Sequence, residues 1–216
     1  MKLFKTGIAG LDEFLQEGLP PGVFLLIGQI GSGIEVFARK VAYSRANDTG
    51  VTYFTFSKPP EVVKDDMSLF GWDISKLEES GDWRFINLSE NDSFEEIILG
   101  EMVQQRCVVV DSFSELLLNQ KMEDAINLLI SMSALNRDLE ELHFIILIEG
   151  MQDQKVDATM QYFADGVITF TTNWGTEAIS RNIIIKKMRQ KIVPSRSLPY
   201  SIGEEGFVIE TAIRIT

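Results

Sequence analysis

The chain reads as an α/β fold, a mostly parallel central sheet flanked by helices and finished by a C-terminal β-hairpin. Short apolar runs alternate with longer stretches of helical spacing, which is how parallel strands and their crossover helices appear in a sequence. The final pair of runs faces itself across Gly203-Glu204-Glu205-Gly206, a hairpin arrangement. At 216 residues and 45% hydrophobic content, the chain has material for one substantial core, and a second independent unit would be cramped. Residues 1–216 are therefore expected to form a single domain.

The elements follow in order. Val23-Phe24-Leu25-Leu26-Ile27 comes after the turn signal Leu19-Pro20-Pro21-Gly22 and is apolar without interruption, so a strand buried on both faces is expected. A glycine-rich turn leads from it into a helix whose inward stripe is Val36, Phe37, Val41 and Ala42. Thr52 to Phe56 is the second strand, stopped by Ser57-Lys58-Pro59-Pro60. A helix runs from about Pro60 to Phe70, with proline accommodated in its first turn, and Gly71-Trp72-Asp73 closes it. Trp83 to Asn87 is the third strand; the spacing of Phe94, Ile97, Ile98 and Met102 predicts a helix from Phe94 to Arg106.

Val108-Val109-Val110, ending in Asp111-Ser112, suits a central strand. Met122 to Leu139 is a long helix with Ile126, Leu129 and Ile130 as its core stripe, and Phe144 to Ile148 is another buried strand. Gly166 to Phe170 and Asn182 to Lys186 are late strands with a turn near Asn173 to Thr176 between them. Leu198 to Ile202 then pairs with Phe207 to Ile209. No internal repeat, linker or low-complexity tract interrupts this order.

Net charge is -12, from 20 basic and 32 acidic residues, so the average surface repels nucleic-acid phosphates and anionic lipid. No apolar stretch approaches the roughly 18 to 20 residues of a spanning helix. The first dozen residues lack the apolar centre of a signal peptide, and a cytoplasmic location is expected. Cys107 stands alone before an apolar run, which fits a buried thiol in a reducing compartment. His143 is the one histidine, and without a partnering cluster no metal site is expected around it.

The segment that carries chemistry is Gly28-Gln29-Ile30-Gly31-Ser32-Gly33-Ile34-Glu35. Strand, glycine turn and helix occur here in the order of a phosphate loop, whose backbone N–H groups curl round an anion at a helix N-terminus. In the pattern G-x-x-x-x-G-K-[ST], Gly28 and Gly33 fill the glycine positions, with Gly31 and Ser32 between them. Ile34 stands in place of the lysine and Glu35 in place of the magnesium-bound hydroxyl. The lysine's charged hydrogen bonds are each worth about 1.5 to 3 kcal/mol. A carboxylate at about 5 Å from a phosphate charge, at an effective dielectric near 20, adds about 3 kcal/mol of repulsion. Together these changes weaken triphosphate binding by on the order of a thousandfold or more.

Beyond this loop the chain resembles the RecA superfamily and, within it, the KaiC-like and RadA-related ATPases of archaea and bacteria. Five segments in order carry the resemblance: Thr6 to Glu13 with Gly18 to Gly22; Pro59-Pro60-Glu61 through Phe70-Gly71-Trp72-Asp73; Cys107 to Ser112; Ala164 to Ile168; and Lys187-Met188-Arg189. The resemblance implies a RecA-like P-loop NTPase core. It places Asp111 at the Walker B position, where a carboxylate holds magnesium through water. Ser57 and Lys58 occupy the positions of the family's water-activating glutamate pair, so no catalytic residue is expected there. Lys187 and Arg189 match residues that in the family reach a neighbouring subunit's nucleotide, although Gln190 replaces the usual following glycine. Asp111 also suits a cap for the next helix or turn. Lys187 and Arg189 also suit solvated charges on an edge strand.

The expectation is a non-hydrolysing KaiC/RecA-like pseudo-ATPase that regulates or scaffolds in signal transduction through homo-oligomeric or hetero-oligomeric contacts. Gly28, Gly31, Ser32, Gly33, Ile34, Glu35 and Asp111 form its vestigial phosphate and magnesium site, with Lys187 and Arg189 at an interface. No cofactor is expected, ATP and magnesium being the ligands if the vestigial site still binds. One alternative is a nucleotide-binding subunit that completes a shared active site with an active paralogue. The other is a DNA-recombination mediator, which wants a basic groove with aromatic platforms; the acidity opposes it, and only Trp174 near Arg181 is suggestive. Nucleic acid and membrane are not expected partners.

Overall fold

A computed structural model describes residues 2–89, 92–175 and 178–210, leaving aside the side chain of Asn119. Its elements are α1 (Ala9–Phe14), β1 (Gly22–Gly28), α2 (Ile34–Thr49), β2 (Val51–Thr55), α3 (Pro60–Ser68), α4 (Ser75–Ser80), β3 (Trp83–Asn87), α5 (Phe94–Val103), β4 (Cys107–Asp111), α6 (Phe113–Asn119), α7 (Met122–Leu139), β5 (Leu142–Ile148), α8 (Gln154–Phe163), β6 (Gly166–Trp174), β7 (Ile179–Met188), β8 (Leu198–Gly203) and β9 (Gly206–Ile209).

The strands form one nine-stranded sheet in the order β3-β2-β4-β5-β1-β6-β7-β8-β9. From β3 to β6 all pairings are parallel, and from β6 onward they are antiparallel. This is the expected α/β class with its terminal hairpin. The strand period of two sorts the core: Val23, Leu25 and Ile27 of β1 pack with Val108, Val110, Leu128 and Leu129, whereas Phe24 and Leu26 pack with Phe37, Val41 and Phe144. Helices therefore cover both faces, and β1 lies between β5 and β6 with every residue buried.

Four short helices, α1, α4, α6 and α8, join those expected from the spacing. α1 owes its start to Asp12, whose carboxylate accepts from Thr6 N and Oγ1 at 2.7 Å each and from Gly7 N at 3.1 Å. α7 has the expected bounds but a different inner face. Ala125, Leu128, Leu129, Met132, Ser133 and Asn136 are buried, Ile126 is half-buried and Ile130 is exposed. The small Ala125 and Ser133 let this side approach the sheet, so the stripe turns away from Ile126 and Ile130. β6 and β7 reach well past the expected strands to Trp174 and Ile179, as a long antiparallel ribbon. Thr176, at the end of the turn expected between them, lies outside the described residues.

Candidate functional site

β1 ends at Gly28, the chain turns, and α2 begins at Ile34 beneath the loop. Gly31 and Gly33 have φ of +81° and +75°, the left-handed region that glycine enters without strain. At Gly33 a Cβ would also stand 1.9 Å from Ile202 Cδ1. Glycine there is thus favoured by conformation, and a larger residue would also have to displace the end of the Ile202 side chain. The C-terminal hairpin supports the loop from one side: Tyr200 Oη donates to Ser32 O at 2.6 Å, and the Tyr200 ring stacks on Phe207 at 4.4 Å. Burial pushes the Tyr200 phenol up to about 12, so it remains a donor. The ring of Trp174 lies against Gly31, and Ser32 Oγ is buried without a hydrogen-bond partner among the described residues.

A cleft of about 230 Å³ opens beside the loop, walled by Gln29, Ile30, Gly31, Glu35, Lys58, Asp111, Ser112 and Glu115 over an apolar floor of Ile146, Ile148 and Met151. It sits at the C-terminal ends of β1, β4 and β5, where open α/β sheets hold their ligands. Ile34 does not reach it. That side chain is 1% exposed and belongs to the core around Phe37. Glu35 is half-buried and lines the cleft.

Asp111 ends β4 with its carboxylate engaged. Tyr53 Oη donates to Asp111 Oδ2 at 2.7 Å, and Arg39 Nη2 lies 3.4 Å from the same oxygen. Arg39 also donates through Nε to Tyr53 Oη at 3.3 Å and through Nη1 to Asp66 Oδ2 at 2.8 Å. Burial and the Asp111 charge raise the Tyr53 phenol well above its ordinary value, so it keeps the proton it donates. Burial alone would lower the Arg39 guanidinium, but the charge of Asp111 and the hydrogen bonds to Tyr53 and Asp66 outweigh it. Arg39 stays charged.

At the end of β2, Ser57 N and Oγ donate to Glu115 Oε2 at 3.0 and 2.5 Å. Lys58 faces the cleft. Lys187 and Arg189 are elsewhere. Lys187 Nζ donates to Gln161 O at 3.2 Å and Tyr162 O at 2.6 Å, closing the C-terminal turn of α8. Burial lowers this ammonium while Asp165 pulls it back. Arg189 pairs with Asp165 at 3.0 Å, and Asp165 also accepts from Val23 N at 3.1 Å. Val23 is the second residue of β1 and Gly28 its last, a separation of about 16 Å along the strand. These two basic residues therefore lie at the opposite end of the sheet from the loop of their own chain.

His143 is buried inside the fold. Its Nδ1 accepts from Val108 N at 3.2 Å and its Nε2 lies 3.1 Å from Asn136 Oδ1, with burial pushing its pKa down to about 3. The ring is neutral and structural. Burial pushes the Cys107 thiol up to about 12, leaving it protonated in β4. Among the described residues, no group of three or more His, Cys, Asp or Glu side chains gathers as around a metal ion. No helix among them is long and apolar enough to cross a membrane.

Sequence reasoning overlooked Arg39 and Tyr53. A signal existed for Arg39: it follows Glu35 by four residues, hence one turn along the same helix face, in the run Val36 to Ala42 that is apolar but for Arg39 and Lys40. Tyr53 gave none, since a tyrosine in a buried strand is ordinary core until its hydroxyl's partner is known.

Comparison with known proteins agrees with this architecture. The family model described as "ATPase: KaiC" matches residues 4–213. A UPF0273 protein of Methanocaldococcus jannaschii is 26% identical, with 97% of this chain and 96% of that protein covered. The circadian clock protein KaiC3 of Synechocystis is 36% identical over 100 residues, covering 45% of this chain and 20% of that protein. Among solved structures, a KaiC-like protein of Pyrococcus horikoshii superposes with a TM-score of 0.83 at 22% identity, covering 97% of this chain and 99% of that one.

Proposed function

The chain belongs to the KaiC ATPase family, and from that premise we propose that it is a non-hydrolysing member, a regulatory or scaffolding protein acting in signal transduction through homo- or hetero-oligomeric contacts. The observation that carries the reading is the donor set of the cleft. A magnesium triphosphate asks for a cation at the loop mouth, a small hydroxyl on the metal and a carboxylate free to hold its water shell. Here Ile34 is turned into the core, Glu35 puts a negative charge at the cleft wall, and Asp111 is engaged by Arg39 and Tyr53. This donor set does not suit that ligand. Ser57, at a position the family gives to a water-activating glutamate, is bound to Glu115, and Lys58 beside it offers no general base.

The direct test is phosphate release from ATP with magnesium by the purified chain. The reading expects no release above the buffer rate, and turnover abolished by an Asp111→Asn change would overturn it.

A second reading has one observation in its favour. Lys187 and Arg189 sit away from their own loop, as groups that serve a head-to-tail neighbour would. On that reading the chain lends them to an active paralogue's site. Mixing the two proteins should then change the paralogue's turnover, and Lys187→Ala with Arg189→Ala should remove the change.

A further inference from the structure

Among the described residues, Arg39 is the arginine whose guanidinium is buried directly behind the Asp111 carboxylate of the cleft. Its side chain is 2% exposed, and its three nitrogens are committed to Tyr53, Asp66 and Asp111. Asp66 is 43% exposed, so of Arg39's two carboxylate partners the deeply buried one is Asp111, at 7%. A carboxylate in that setting without a counter-charge is costly, and in this fold's nucleotide-binding relatives the charge would be met from the cleft by a divalent ion. In this chain it is met from below.

We infer that Arg39 is an internal counter-cation that takes the electrostatic place of a divalent ion at Asp111, so that the site stays closed to metal even when the missing lysine and hydroxyl are put back. This deepens the reading of a non-hydrolysing protein and rests on it, but it names a different cause. The loop substitutions at Ile34 and Glu35 act on the phosphates. Arg39 acts on the metal, because a second cation at the same carboxylate meets the fixed charge of the first and competes for Oδ2, which already takes Tyr53 and Arg39. Tyr53 strengthens the arrangement by accepting from Arg39 Nε while donating to Asp111.

The experiment uses the full chain in three forms: native, Ile34→Lys/Glu35→Thr, and that double variant with Arg39→Met. ATP is titrated calorimetrically with magnesium and again with chelator, and manganese alone is titrated by electron paramagnetic resonance. The double variant is expected to bind ATP with the same affinity in both conditions and to leave manganese free. Adding Arg39→Met should tighten ATP binding about tenfold or more in magnesium and bring in one manganese ion, a gain of about 1.4 kcal/mol or more. A tenfold magnesium effect with Arg39 still present overturns the inference, as does a folded triple variant that gains nothing over the double. Phosphate release from ATP by the native chain in the absence of magnesium overturns the parent reading alone. Should the triple variant fail to fold, Asp111→Asn in the native chain decides: loss of a partner from a buried pair lowers the melting temperature by roughly 5–10 °C, whereas no change or a rise, as for relief of an unpaired carboxylate, contradicts the assignment.

Discussion

Helix α2 carries two buried arginines, and the two ends of the molecule use them differently. Near the loop, Arg39 meets Asp111 at 3.4 Å, with Tyr53 and Asp66 completing the set. At the other end of the sheet, Arg45 meets Glu141 at 3.0 Å; Glu141 N donates to Asn136 Oδ1 at 3.0 Å, Asn136 Nδ2 donates to Glu141 O at 2.7 Å, and His143 closes the group. Both are arginine–carboxylate pairs in a low-dielectric interior, and both are costly to break from one side. Only the first has its carboxylate on a cleft. The chemistry of the two networks is alike, so their different meanings come from position: the lower one fixes the start of β5 against α7, and the upper one decides what the cleft accepts.

The largest effect should come from cutting the lower network. Glu141→Ala leaves Arg45 buried with Asp48, whose side chain is 66% exposed, and should cost about 3–5 kcal/mol in urea unfolding. ATP titrations on that variant should match native. If they differ, the two ends are coupled and the contrast fails.

Next is pH. His143 is held to about 3 in the fold against an ordinary 6.5, so between those values the unfolded chain binds a proton that the folded chain refuses. Stability attributable to His143 is complete above about pH 6.5 and falls as pH drops, by about 2 kcal/mol at pH 5. His143→Gln should flatten that part of the stability profile, as measured by denaturant melts across pH.

Smaller again is the support under the loop. Tyr200→Phe removes one donor to Ser32 O and should cost about 1 kcal/mol while speeding amide exchange in the loop, read by hydrogen–deuterium exchange. The smallest effect belongs to Arg189→Ala, since a pair with one partner 40% exposed contributes within about 1 kcal/mol. A large loss of thermal stability there would mean that Asp165 depends on Arg189 more than the contrast between cleft and scaffold allows.

How much of this was legible in the sequence follows from range. Met122–Leu139 was readable to its ends because eighteen residues of helical spacing are a local signal. Its inner face was misjudged because large Ile126 and Ile130 outweigh small Ala125 and Ser133 on any hydrophobicity count, while packing favours the small residues near the sheet. α4 and α6 are too short to show a period of 3.6. In the site, the glycine loop, Glu35 and Asp111 are contiguous or end a strand, so their places were readable; that the Ile34 side chain turns from the loop into the core was not. The Arg39–Tyr53–Asp111–Asp66 set joins α2, β2, β4 and α3 across 72 residues between Arg39 and Asp111, and only the fold brings it together.

The central claim is that the cleft beside Gly28 to Glu35 is unsuited to a metal-bound polyphosphate. Isothermal titration of the native chain with ATP and magnesium tests it most directly. The account predicts no saturable heat up to millimolar nucleotide; a micromolar dissociation constant that weakens when magnesium is chelated would contradict it.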